Sequence, residues 1–186
     1  MEREEKAKKK NRTNPQYQWV AVVFCLSVSL SAVLSLLSET ALDGAGYAVA
    51  LGVLAVFIGL GIVFDIIGVA VTAADPRPFH SMAAHREKGA KEALFLLRNA
   101  SRVSSVCNDV VGDICGIVSG STAAVIVTHL QRDLSTTSVL ISIGATALIS
   151  GITIGGKALG KTVAINQCTS VVYRVARIMH ALHLSR

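Results

Sequence analysis

Four long apolar runs divide the chain, and polar, mostly basic segments separate them. The first runs from about Trp19 to Leu37 without a charge, and the second from about Tyr47 to Ala74 with Asp65 as its single charge. The third, Val103 to Leu130, carries Asp109 and Asp113, and the fourth, Ser138 to Gly155, is again uncharged. Each approaches or exceeds the roughly 20 residues that cross a ~30 Å hydrocarbon core at about 1.5 Å per residue. The first run is too long for a signal-peptide core, and Ser38-Glu39-Thr40-Ala41 makes a poor cleavage site. The pattern therefore predicts an all-α, polytopic membrane bundle of four spans: an additional first helix over 18–38 after a basic tail at 1–17, then spans over about 47–74, 103–130 and 138–155. After the fourth span, Val163, Val171, Val175, Ile178 and Leu182 recur near helical spacing between Arg174 and Arg177. They predict an amphipathic tail over 157–184, lying on the membrane face or packed against the loop at 79–98.

Composition agrees with that reading. Apolar residues make up 52% of the 186 and charged residues 16%, and mean hydropathy is +0.55, outside the usual soluble range. Of the 18 Lys and Arg, six lie in 1–17, six in 74–102 and five in 156–186, leaving only Arg132 elsewhere. The net charge of +6 thus belongs to loops and tails. It is not a basic face with stacking aromatics, so a nucleic-acid partner is not expected. By the positive-inside rule these basic segments stay cytoplasmic. That orientation predicts a multi-pass protein of the cell membrane with both termini inside.

Catalytic chemistry is not visible. No nucleophile–base spacing, phosphate loop or His-Glu-x-x-His pattern occurs, so an enzyme is not expected. Cys25, Cys107, Cys115 and Cys168 include no CxxC pair and read as small hydrophobes. His180 and His183 read as a solvated pair.

The spans do show small-residue rows. Gly112, Gly116 and Gly120 repeat every four residues, and Ser142, Thr146 and Ser150 do the same beside Gly151 and Gly155. Such rows let helix backbones approach closely, within a bundle or between two copies.

The acidic residues need separate explanation, since an Asp near the bilayer centre costs roughly 2.5–3.5 kcal/mol on insertion scales. With the fourth span ending at Gly155, no Lys or Arg lies inside any span. The remaining partners are a proton, a bound cation or backbone donors. Asp65 lies nine residues before Ala74, and Asp109 and Asp113 lie seven and eleven past Arg102, which places all three roughly 10–16 Å from the same membrane face. Asn108, Ser104 and Ser105 add oxygens. An all-oxygen set suits a hard cation such as Mg²⁺ or Ca²⁺.

Two further segments carry a family likeness. Lys88-Gly89-Ala90-Lys91-Glu92-Ala93-Leu94, followed by Leu96-Leu97-Arg98-Asn99, resembles the juxtamembrane helix of the CNNM/CorC (CorB) magnesium transporter family. Gly156-Lys157-Ala158-Leu159-Gly160-Lys161 is similar to the start of that family's closing amphipathic helix. The likeness covers about residues 50–186, and over 46–186 it implies the family's transmembrane domain without the CBS-pair and C-terminal soluble domains. The family's Ser-Gly-Ser-Glu-Thr-Ala signature would fall on Phe64–Ala70, with Asp65 where a serine stands in the family. Its Gly-Asn-Asn run is nearest to Gly112-Asp113, with Asn108-Asp109 a turn earlier. The resemblance implies Asp65 and Asp113 as ion ligands beside Asn108 and Asp109, Mg²⁺ (or Co²⁺) as the transported or bound ion, and a homodimer in the lipid bilayer. A membrane scaffold that keeps the fold without transporting is the alternative.

The orientation is directly testable. A cysteine placed at Lys88 should be protected from an impermeant thiol reagent added outside intact cells, and one placed at Ala45 should react. The reverse labelling would refute the four-span arrangement.

Overall fold

The computed structural model describes residues 15–42, 46–133 and 139–182. Ala45, Ser138 and His183 lie outside them. Helix α1 spans Pro15–Leu42 and α2 spans Tyr47–Ala73; two short helices follow, α3 (Arg77–Ala84) and α4 (Ala90–Arg98). Helix α5 runs continuously over Ala100–Asp133 with a π-helical segment at Val106–Gly112. Helix α6 spans Val139–Asn166 and α7 spans Cys168–Ala181. Among the described residues there is no strand, and α1, α2, α5 and α6 are long and apolar enough to cross a membrane. The chain is an all-α, multi-pass membrane protein.

Helices α2 and α5 form the centre, while α1 and α6 are largely exposed outside them. Ala50, Leu54, Phe57, Gly61, Asp65 and Gly68 are buried along α2, at the three-and-four spacing of one helix face. Phe57 packs with Val110, Ile114, Cys115 and Val118 of α5, and Val23, Leu30 and Leu34 of α1 close over them. The remaining faces present Val20, Phe24, Leu36, Leu140, Leu148 and Ile154 outward, as a surface solvated by acyl chains requires. Polar clasps mark the end of the bundle away from α3 and α4. The Thr122 hydroxyl donates to the Val118 carbonyl and accepts from Ser38 at 3.2 Å, both residues buried. The Tyr47 hydroxyl donates to Asp133 on α5.

At the opposite, basic end, α3, α4 and α7 cap the bundle. Phe79, Ala93, Leu96, Val172 and Ala176 form one buried cluster with Ala70, Val71 and Ala164. Glu92 is buried and meets His180 Nδ1 at 2.9 Å. The predicted apolar stripe of the tail is met in part, since Val171 and Val175 pack, partly buried, against this cluster. Val172 and Ala176 face the core, whereas Ile178 and Leu182 are exposed and Val163 belongs to α6. The fourth span also differs from its expected limits. It does not stop at Gly155 but continues to Asn166, so the tail helix starts at Cys168 instead of 157. No proline interrupts Gly156–Asn166, and Gly156 and Gly160 let this extension lie flat on Ile62 and Ile66 of α2, which favours continuing the helix over breaking it. The first helix likewise begins at Pro15 and ends at Leu42, wider than 18–38.

Gly89 is the tightest point of the cap. Its φ is +89°, a region that favours glycine, and a Cβ there would lie 3.1–3.2 Å from the Arg177 backbone. Gly89→Ala should therefore destabilise the protein by about 1–3 kcal/mol through backbone strain and loss of the α7 contact. Gly59→Ala, where nothing lies within 4 Å, should leave the melting temperature in detergent unchanged or slightly raised.

Candidate functional site: a polar seam between the central helices

Two glycines of α2 meet α5. A Cβ on Gly61 would sit 3.3 Å from Cys115 Cβ, and one on Gly68 would fall 2.1 Å from Asn108 Oδ1. The Asn108 amide therefore occupies the space that the missing side chain of Gly68 leaves. Asp65 lies between these glycines on the same buried face of α2 and is only 6% exposed. The two antiparallel contacts bracket it, so it faces the π-helical turn. Asp65 is eight residues from the end of α2 at Ala73, about 12 Å along the axis, within the membrane-spanning part.

The hydrogen bonding here is incomplete. Asn108 Nδ2 donates to Ser104 Oγ at 3.3 Å. Asn108 Oδ1 and Asp65 Oδ2 are both buried and have no hydrogen-bond partner in the protein. Buried polar atoms are nearly always paired, and leaving one unpaired costs roughly 1–3 kcal/mol, more when it is charged. Two orphaned acceptors on facing helices attract a donor or a cation. The π turn contributes as well, because its wider i→i+5 bonding interrupts the regular α ladder, a feature frequent at functional sites. By adding a residue to the turn it also rotates the helix beyond it by about 100° relative to an unbroken α-helix.

The three carboxylates do not converge. Asp65 is buried in the seam, whereas Asp109 and Asp113 are exposed on the outer side of α5. Among the described residues no three His, Cys, Asp or Glu side chains are placed to hold one ion. Asn108, the least distinctive of the predicted residues, stands closest to the Asp65 face.

A basic residue is also present within the spans, contrary to the expectation above. Because α6 continues past Gly155, Lys157 lies on a spanning helix, half-buried, between Gly156 against Ile62 and Gly160 against Ile66. This is the level of Asp65, and Lys157 Nζ comes within 3.9 Å of where a Gly112 Cβ would be. No ion pair closes between Lys157 and Asp65, Asp109 or Asp113. The layer thus holds three carboxyl groups and two lysines, because Lys161 follows Gly160 on the same helix and is exposed. The signal for Lys157 was present in the sequence, since Ala158, Leu159, Val163, Ala164 and Ile165 prolong the apolar run beyond it.

Comparison with known protein families, curated proteins and solved structures finds no match.

The interlocking of Gly68 with Asn108 predicts strong coupling. Gly68→Ala should expel the amide from the seam and destabilise the protein by about 1–3 kcal/mol. In an Asn108→Ala background the same change should cost little. Melting of the two single variants and the double variant measures a coupling of about 0.5–3 kcal/mol, and additive effects would contradict the geometry.

Proposed function

We propose that this protein is a divalent-cation transporter of the cell membrane that takes its ion, Mg²⁺ in the first instance, into the seam between α2 and α5. The observation that carries this reading is the pair of buried, unpartnered oxygens, Asp65 Oδ2 and Asn108 Oδ1. The ligand chemistry is all oxygen, from a carboxylate, an amide carbonyl and the nearby Ser104 hydroxyl, as a hard cation prefers. Ionisable groups at this depth are costly and mark ion pathways or proton relays. The carboxyl groups at this depth outnumber the two lysines, Lys157 and Lys161, that share it, which supports a cation. The likeness of 88–99 and 156–161 to the CNNM/CorC family supports Mg²⁺ as the ion. In this arrangement the basic segments and both termini are cytoplasmic, and movement of the α3–α4 cap governs access from inside. The exposed face of α5 carries Asp109, Asp113, Gly116 and Gly120, and the two last have open space at the Cβ position. This face suits a homodimer, in which a second copy shields the two carboxylates from lipid.

Lys157 favours the competing reading of a non-transporting scaffold, in which the ammonium serves only as counter-charge to the acidic layer. The two readings differ in their response to metal. If Mg²⁺ binds, a concentration of about 100 Kd should stabilise the folded protein by roughly 2.7 kcal/mol, a melting shift of several degrees at this size. Asp65→Asn should abolish that shift while raising the ion-free melting temperature, and Asp113→Asn should leave most of it. A wild-type melting curve indifferent to millimolar Mg²⁺, Ca²⁺ and Mn²⁺ would establish the scaffold reading instead.

A further inference from the structure

A second feature, at the basic end of the bundle, is independent of the ion-binding reading. Where α2 ends, the α2–α3 connection and α4 enclose a groove of about 320 Å³. Val71, Leu94 and Leu97 give it an apolar floor, Pro76 closes one side, and His80 and Arg98 line it with polar groups. No acidic residue is among its lining.

Its depth is informative. Helix α2 has 27 residues, about 40 Å, against a hydrocarbon core of roughly 30 Å and a full bilayer of about 40–45 Å. The end of α2 therefore lies in the headgroup layer, and so does the groove beside Ala74 and Ala100. The neighbouring cations are already engaged. Arg102 stacks over Trp19 with its guanidinium carbon 5.1 Å from the ring centroid, and Arg77 lies 3.9 Å from Asp75. Arg98 has neither an ion pair nor a ring contact. An unpaired guanidinium and an imidazole over an apolar floor, at phosphate depth, match one ligand chemistry.

We propose that this groove binds the headgroup of an anionic phospholipid from the adjacent leaflet. Arg98 holds the phosphate through paired N–H donors, His80 donates from the opposite rim, and the glycerol and first acyl carbons lie over Val71, Leu94 and Leu97. Basic pockets of this kind between spanning helices bind anionic headgroups. Free inorganic phosphate shares the charge but gains nothing from the apolar floor.

Native mass spectrometry of the full chain, released from micelles holding equal phosphatidylglycerol and phosphatidylcholine, tests this. The wild type should retain phosphatidylglycerol about tenfold over phosphatidylcholine, the factor that one well-formed charge-assisted contact supplies. Arg98→Gln should reduce that ratio to near one. Arg77→Gln removes the same charge from a side chain that is 90% exposed and outside the groove, so it should leave the ratio intact. Equal retention of both lipids by the wild type would overturn the proposal. So would equal losses in the two arginine variants, which would mean unspecific surface charge, or displacement of the lipid by millimolar inorganic phosphate, which would make the site one for a free anion.

Discussion

Close approach of α5 and α6 to the central helix α2 is the constraint on which the rest of the structure depends. In lipid, apolar side chains gain nothing by leaving one apolar solvent for another, so helices associate through van der Waals packing and interhelical polar contacts. Here the packing is concentrated at glycines: Gly61 and Gly68 on α2 admit α5, and Gly156 and Gly160 on α6 admit Ile62 and Ile66. Added bulk at Gly68 would displace the Asn108 amide, and at Gly156 or Gly160 it would displace the Ile62 and Ile66 side chains. The polar seam exists because the backbones are near enough to hide it.

That packing also explains why the polar residues of one layer have different environments. Asp65 and Asn108 lie on the closed side of the α2–α5 contact, while Asp109 and Asp113 lie on the open side of the same helix. The π turn between Val106 and Gly112 divides these environments and sets the Asn108 amide in the space beside Gly68, on the same buried face of α2 as Asp65. Lys157 enters the layer from a third helix and moderates its charge without closing an ion pair. Such a partly compensated site is expensive for folding, and that expense is the ground for the function proposed above.

The two ends of the bundle are built on different terms. Away from the cap, a hydroxyl pair and a tyrosine–aspartate bond hold helix ends together. At the basic end a small soluble-type core forms, with Phe79 and Val172 fully buried and the Glu92–His180 contact beside it. This cap uses the ordinary hydrophobic effect, because water reaches its outer surface. It therefore fixes where α4 presents Arg98 relative to the end of α2.

Hydropathy alone determined the number of spans, their approximate positions and the all-α class, because the length of an apolar run is a property of the chain read in one dimension. The polar character of Asp65, Asn108, Asp109 and Asp113 and their common depth were legible for the same reason, depth being residue count multiplied by rise. Which of them face each other was not, since an extra residue in one turn rotates everything beyond it and leaves no mark on composition. The glycine rows were visible, but only packing distinguishes Gly68, filled by Asn108, from Gly116, which has open space. The continuation of α6 through Lys157 was decided by its contact with Ile62 and Ile66. A charged residue stays on a spanning helix when the helix has a tertiary partner to lie against and a counter-charge within its layer, and both conditions belong to the folded structure.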